Sequence, residues 1–447
     1  MAAPHPTEAP ADGAPRHRSL KLLARSFFVG DPVIWVIFIT LMLGSIVVVF
    51  SAISREAFAL EAEGGSFYGD FFKHLKLILV SFILVSVMSR VESKYYKKLA
   101  FFFLLFVIAL LIYTLLFGDT VNGGKRWAEI PIIHLSVQPS EIAKVAVINY
   151  IAFCLWREKG RESLVTFLWL WTPILVTIAL QVSEGITASA FLFLIALATS
   201  LIGGANKKYT GYLVLGAMAL VLLVVAIKVL GPDTSDMGRT DTGQNRIERF
   251  VTKAFKPINE ETYDDIMGMD YQVVLAQKAI ANSNLIGRGA GQSELRQWLP
   301  EAVRDYIYNV VVEEFGLIGS LALLMTYIIF FWRCGKIATL SRSNYKSTLL
   351  YGIGVAITGQ AILNMMVAAN LLPVTGQTLP FISKGGSSYI FMSMFFGFAL
   401  SVSREVKEER LKQDALAGGM EGMPVVDLEA IPDYAPPEEE QKPRPEV

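Results

Sequence analysis

Cations and carboxylates gather in four stretches of this sequence. The first is Asn122-Gly123-Gly124-Lys125-Arg126-Trp127, followed by Gln138-Pro139-Ser140-Glu141-Ile142-Ala143-Lys144. Pro139 suits a first helical turn, and the three-residue spacing then puts Glu141 and Lys144 on one helix face. That pattern fits a capped, self-paired helix start. It fits equally a cation-lined site for a phosphate-bearing lipid head group, because Arg and Lys stabilise phosphate oxygens. The second stretch holds Arg246, Glu248 and Arg249, then the acids Asp264, Asp265 and Asp270 ahead of Tyr271-Gln272. Cations followed by acids make either a solvated surface or a charged site.

The third stretch runs from Gly287-Arg288-Gly289-Ala290-Gly291-Gln292-Ser293 through Leu299-Pro300-Glu301 and Asp305 to Glu313-Glu314-Phe315-Gly316. Its glycines alone do not specify a phosphate loop, since no strand leads into a helix there. Paired glutamates at the mouth of an apolar segment need a wet cavity or a cation. They would either orient loop cations or form structural pairs. The fourth is Leu372-Pro373-Val374-Thr375-Gly376 through Pro380, Phe381, Lys384, Gly385, Gly386, Ser387 and Ser388. Its prolines and glycines suggest a re-entrant turn, tolerable only against protein or water.

The elements that must position these residues are membrane spans. Charged residues make up 18% and hydrophobic residues 53% of the 447, where soluble domains carry about 25% charged residues. Mean hydropathy is +0.46. Apolar runs long enough to cross about 30 Å of hydrocarbon predict helices near 32–53, 72–90, 99–117, 139–156, 163–181, 185–204, 211–230, 309–332, 348–371 and 387–403. The fold class expected is therefore an all-α polytopic membrane protein with about ten spans. Residues 1–27 form a flexible tail, 28–408 the membrane domain, and 409–447 a second tail, rich in Glu and Pro and expected to be disordered. The first apolar run starts too late and is too long for a cleavable signal peptide.

Loop cations set the orientation. Arg16, Arg18, Lys21 and Arg25 precede the first span. Arg90, Lys94, Lys97 and Lys98, then Arg157, Lys159 and Arg161, then Lys207 and Lys208, then Arg333, Lys336, Arg342 and Lys346 occupy alternate loops. Arg404, Lys407 and Arg410 follow the last span. An even number of spans puts all of them, and both termini, in the cytoplasm. The opposite short loops hold only Arg55, Lys125 with Arg126, and Lys384. All four chemistry-bearing stretches then face outward, together with a long polar loop, 231–308, that contains helix-like pieces around 270–284 and 293–298. Formal net charge is zero, which argues against a bulk nucleic-acid binder. Cys154 and Cys334 lack metal-ligand spacing and read as packing residues.

Taken in order, the four stretches resemble the SEDS family (shape, elongation, division and sporulation) of cell-wall polymerases, from about residue 30 to 405. Asn122–Trp127 with Gln138–Lys144, Leu299–Glu301 with Asp305 and Glu313–Gly316, and Leu372–Ser388 carry the likeness. The long N-terminal tail, Gly30-Asp31-Pro32-Val33-Ile34-Trp35 and the extended C-terminal tail resemble division-type members more than elongation-type ones.

The resemblance implies a peptidoglycan glycosyltransferase in the bacterial cytoplasmic (inner) membrane. It implies lipid II, an undecaprenyl diphosphate, as substrate, with a class B penicillin-binding transpeptidase and other division membrane proteins as partners. The family's catalytic carboxylate lies in an Asp-Pro, spacer, Gly-Tyr-Gln pattern. Tyr271-Gln272 matches its end, with Ile266 in place of the proline and Asp270 in place of the glycine. The resemblance carries the general base to Asp265, with Asp264 and Asp270 as alternatives. Lys125, Arg126, Trp127, Arg246, Glu141, Lys144, Glu313, Glu314, Lys384 and Ser387 are the expected substrate-site residues. The family's Pro-Asp-Leu-Gly-Thr stretch appears here as Ser183-Glu184-Gly185-Ile186-Thr187. No cofactor is demanded. A divalent cation, Mg or Mn, could share the diphosphate charge, although no ligand cluster calls for one. A lipid II flippase and a non-enzymatic division scaffold are the rival classes.

Overall fold

The computed structural model describes residues 28–53, 67–121, 124–130, 135–157, 163–230, 269–295, 306–373, 375–384 and 386–417. Residues up to Val406 form one compact unit, and those from Lys407 a second. Eleven helices are present among the described residues: α1 Pro32–Ile53, α2 Phe67–Met88, α3 Ser93–Phe117, α4 Pro139–Arg157, α5 Leu164–Gln181, α6 Ile186–Ile202, α7 Lys207–Leu230, α8 Met269–Ala281, α9 Ile307–Leu340, α10 Asn344–Ala368 and α11 Gly386–Ala417. All but α8 fall on the windows predicted from the apolar runs. The chain is a multi-pass membrane protein.

Six of these helices are long and apolar enough to cross a membrane by length and composition. Two of the others have identifiable reasons to fall short. α4 carries Glu141, Lys144 and Asn149, yet nearly its whole surface is buried. It packs against α3, α5, α6 and α10, so its polar groups face protein rather than lipid. α6 is apolar but short. The outward faces of α1, α2, α3 and α9 leave large apolar side chains exposed, among them Leu79, Phe102, Leu116, Leu317 and Trp332. This is the surface a lipid solvent requires.

A small antiparallel sheet is the feature the apolar runs did not announce. β1 Asp119–Val121 pairs with β2 Gly124–Ile130, which pairs with β3 Leu135–Val137. Its register sets Asp119 opposite Trp127 and Thr120 opposite Lys125. The helical class holds, with this hairpin added between α3 and α4. A second adjustment falls at the C-terminus. α11 runs to Ala417, so residues 409–417, expected in the disordered tail, are helical. Glu408 and Lys412 have the i,i+4 order that favours a solvated helix.

The core gathers around an aromatic cluster. Phe396 of α11 stacks on Phe330 of α9 with centroids 4.5 Å apart, and meets Phe38 of α1 at 5.4 Å. Phe381, in the turn before α11, meets Phe396 edge-on at 5.2 Å. At the cytoplasmic side Arg333 of α9 holds Asp31 with two guanidinium nitrogens, Nε at 3.0 Å and one terminal nitrogen at 2.5 Å. Asp31 also caps α1 by accepting from the N–H groups of Val33 and Ile34.

α9 is broken at Gly316, whose φ of 67° and ψ of −166° are not helical. The segment Asn284–Gly289 lies in the break. Arg288 and Gly289 donate their N–H groups to the carbonyls of Glu313 and Glu314, while Leu317 and Ile318 donate to the carbonyls of Asn284 and Leu285. A Cβ at Gly287 would stand 2.4 Å from the Glu314 carbonyl oxygen, so only glycine fits.

Candidate functional site

Three polar assemblies lie at the outer ends of the helices, on the side that the loop cations assign to the exterior. The first surrounds the N-terminus of α4. Lys144 donates to Glu141 at 2.8 Å and to the Gln360 side-chain oxygen of α10 at 2.5 Å. Gln360 in turn donates to the carbonyl of Thr378 at 2.9 Å. Ser388 of α11 donates to the other oxygen of Glu141 at 3.4 Å. Glu141, Lys144 and Gln360 are all buried.

Glu184, in the turn between α5 and α6, accepts from the Ser140 N–H at 3.2 Å. It supplies a tertiary cap to α4, where the positive end of the helix favours an anion. Thr187, three residues on, donates to the Thr375 carbonyl at 3.0 Å. A paired Glu and Lys need partners on every side in such a place, because each desolvated ion costs several kcal/mol. Gln360, Ser388 and the packed helix ends provide them.

The second assembly fastens the outer loop to α9. Glu313 accepts from the Ser293 hydroxyl at 2.6 Å and from the N–H groups of Glu294 and Leu295 at 3.0 and 3.2 Å. Arg288 lies 3.6 Å from Glu313 and 2.5 Å from Glu294. Glu314 accepts from the Ser51 hydroxyl of α1 and from the Ser293 N–H. The two readings of this pair from sequence meet here: Glu313 both orients Arg288 and clamps the loop. The N–H groups of Arg288 and Gly289 are spent on helix carbonyls, so these two do not serve a phosphate cradle.

The third assembly is the turn between α10 and α11, much of which is buried against protein. Tyr327 of α9 donates to the Pro380 carbonyl at 2.6 Å. Tyr389 of α11 donates to the Phe381 carbonyl at 2.5 Å. Phe381 has φ of 60°, a region that a bulky residue adopts only when its surroundings impose it. Lys384 follows, half-buried. Asn364 donates to the Gln377 carbonyl at 2.7 Å; the Ser383 N–H donates to the Leu379 carbonyl, and the Ser383 hydroxyl accepts from the Leu379 N–H at 2.8 Å.

Helix α8 begins just after the Asp264-Asp265 pair and is anchored to the same outer ends. Asn309 of α9 donates to the Ala276 carbonyl of α8 at 2.9 Å and to the Ala368 carbonyl of α10 at 3.0 Å. Ala276, Ala279, Leu295, Tyr306 and Val310 form a small apolar core between α8 and α9. Asp265, Asp264 and Arg246 lie outside the described residues. Lys125, Arg126 and Trp127 are placed as backbone of β2, and Ser387 as backbone of α11. Among the expected residues, the structure joins Glu141 with Lys144, ties Glu313 and Glu314 to one loop, and sets Lys384 on the tethered turn. Among the described residues, no three His, Cys, Asp or Glu side chains gather to hold a metal ion.

Sequence reading overlooked Gln360 and Asn364, and gave no role to Ser388 or to Glu184 as a cap. The available signal was their chemistry: polar side chains within apolar helices or their turns are costly and therefore have assigned work.

Comparison with known proteins finds relatives over most of the chain. A protein of Enterococcus hirae named probable peptidoglycan glycosyltransferase FtsW is 31% identical over 310 residues, covering 67% of this chain and 74% of the relative. One of Halomonas elongata with the same name is 29% identical over 388 residues, covering 85% and 91%. The fold matches a chain solved in work on the structural coordination of polymerization and crosslinking by a peptidoglycan synthase complex. That match has a TM-score of 0.66 at 19% identity over 84% of this chain and 98% of the other. The rod shape determining protein RodA of Thermus thermophilus superposes with a TM-score of 0.57 at 18% identity, covering 84% and 97%. The match to the FtsW/RodA/SpoVE family, described as cell cycle proteins, extends over residues 31–408, and the chain belongs to that family.

Proposed function

We propose that this chain is a peptidoglycan glycosyltransferase of the division type. It polymerises lipid II into glycan strands at the outer face of the bacterial cytoplasmic membrane. The observation that carries the reading is the buried Glu141–Lys144 pair and its partners. It gathers α4, α10, α11 and the turn that precedes α11 at the outer ends, where a lipid-linked sugar diphosphate would be received. The names of the relatives support the same reaction.

In this reaction a sugar hydroxyl attacks the anomeric carbon of a lipid-linked glycosyl unit. The bond from that carbon to the diphosphate oxygen breaks, and its electron pair leaves with the diphosphate. The leaving group is already stable as an anion, so no carboxylic acid need protonate it, unlike the pair of carboxyls that glycosidases use. The hydroxyl proton goes to a base, assigned to Asp265, worth about 10²- to 10⁴-fold. Lys125, Arg126, Arg246 and Lys384 would stabilise the departing charge. Trp127 and Ser387 complete the substrate site. Glu141 and Lys144 hold its floor, and Glu313 and Glu314 hold the loop above. A divalent cation, Mg or Mn, bound beside the diphosphate would share the same charge.

The partners consistent with this reaction are a class B penicillin-binding transpeptidase and other division membrane proteins. Purified protein with its transpeptidase should convert labelled lipid II to glycan chains, and Asp265→Ala should make none while folding normally. Full polymer from that variant would refute the base, and Asp264→Ala would follow. Translocation of lipid II is the second reading, favoured by the buried charges and the broken α9. Flipping of lipid II across vesicles by the wild-type protein, with no polymer formed, would establish it instead.

A further inference from the structure

His74 of α2 is a buried titratable group that the proposed chemistry does not use. Its Nε2 lies 3.0 Å from the Ser45 hydroxyl of α1. The Ser45 hydroxyl is hydrogen-bonded to the Tyr389 hydroxyl, and Tyr389 reaches the Phe381 carbonyl at 2.5 Å. The ring of His74 also meets the Tyr389 ring edge-on, with centroids 5.3 Å apart. The chain thus crosses from α2 through α1 and α11 to the turn that precedes α11.

The proton order along this chain is determined from its far end. A carbonyl only accepts, so Tyr389 donates to Phe381. The Tyr389 oxygen therefore accepts from Ser45, and the Ser45 oxygen accepts in turn from His74. Nε2 must carry a proton. In the neutral ring Nδ1 is then an acceptor, and it is buried without a hydrogen-bond partner. Lys384 lies within electrostatic reach of the ring. The turn residue at the end of the chain is Phe381, held in a left-handed conformation that must be enforced from outside.

We infer that His74 is a positioning residue for the glycosyl transfer: as a fixed Nε2–H donor it holds the Ser45–Tyr389–Phe381 chain and thereby the outward turn that presents Lys384 to the substrate diphosphate. The inference rests on the polymerase reading. Its physical content is separate, because the turn should loosen whenever the chain is cut. A Gln at position 74 can place an amide donor near the site of Nε2, whereas Leu fills similar space with no donor.

Two measurements on the full-length protein test it. Hydrogen–deuterium exchange over residues 375–384 should quicken by roughly three- to tenfold in His74→Leu and Tyr389→Phe, the range set by one net hydrogen bond. It should stay at the wild-type rate in His74→Gln. In the lipid II assay, turnover should fall by a comparable factor in His74→Leu, recover in His74→Gln, and be unaffected by His74→Leu in a Lys384→Gln background. Unchanged exchange in His74→Leu overturns the inference whatever the activity. So does a full additional loss in the Lys384→Gln background, which would mark a general structural defect. An inactive wild type with the expected exchange pattern would instead refute the polymerase reading and leave the tether standing. If His74→Leu fails to fold, Ser45→Ala and Tyr389→Phe cut the same chain and carry the same expectations.

Discussion

The Lys144 ammonium sits 2.8 Å from the Glu141 carboxylate, one turn along α4, with neither side chain more than 5% exposed. Breaking this pair from one side leaves a buried charge alone. Lys144→Met or Glu141→Gln should therefore destabilise by about 3–5 kcal/mol. The joint change Glu141→Leu with Lys144→Met should regain most of that loss, because it removes both ions. Thermal unfolding in detergent checks the order. Glycan synthesis should be lost in the double variant despite its regained stability, since Gln360 and Ser388 lose the groups they hold. A double variant that is stable and fully active would show the pair to be dispensable.

Gly287→Ala should unseat the segment Asn284–Gly289 from α9. The added methyl would stand 2.4 Å from backbone atoms of both Glu314 and Gly316, and φ at this residue is +81°. Overpacking of this kind costs about 1–3 kcal/mol, with strain added. Limited proteolysis should cut between 284 and 295 several times faster than in the wild type. Gly291→Ala, where a Cβ meets nothing within 4 Å, separates the effect of crowding from that of positive φ and should be the milder change.

Stability should depend on pH through Glu405 at the cytoplasmic end. Burial opposes its ionisation, but hydrogen bonds from Lys346 and Ser93 outweigh burial and hold the carboxyl below its usual range. Lys346 is 2.7 Å away. With a depressed folded-state value, the contribution is fully present above the unfolded carboxylate value of about 4.3 and is lost as pH falls through the folded one. The melting temperature of the wild type should thus exceed that of Glu405→Gln at neutral pH. The gap should narrow as pH falls below the unfolded value and through the lower folded one. A gap that is constant with pH would show that packing, not charge, is at stake.

Much of the fold was legible because a bilayer leaves few solutions. Apolar runs fixed ten helices, and loop cations placed both termini on one side. The β1–β2–β3 hairpin was not legible. Along β2 the residues Lys125, Trp127 and Glu129 alternate with Arg126, Ala128 and Ile130, so neither face is consistently apolar and no period of two stands out. The glycines at 287 and 289 were read only as an unspecific loop; both have positive φ. Their role in seating the loop against the break in α9 depends on backbone contacts that only the fold supplies. Glu141 with Lys144 was visible as a spacing. Gln360, which completes their hydrogen bonding, comes from a helix more than two hundred residues away in the chain, and only the packed structure brings it there.

The break at Gly316 has a consequence for how the molecule opens. Four backbone hydrogen bonds join Asn284–Gly289 to both halves of α9, so the outer loop completes the hydrogen-bond ladder of the helix it rests on. Detaching the loop exposes the carbonyls of Glu313 and Glu314 and the N–H groups of Leu317 and Ile318 at the same moment. Loop and helix end therefore open as one cooperative unit. A force applied to the outer loop by any neighbour is borne at once by a membrane span.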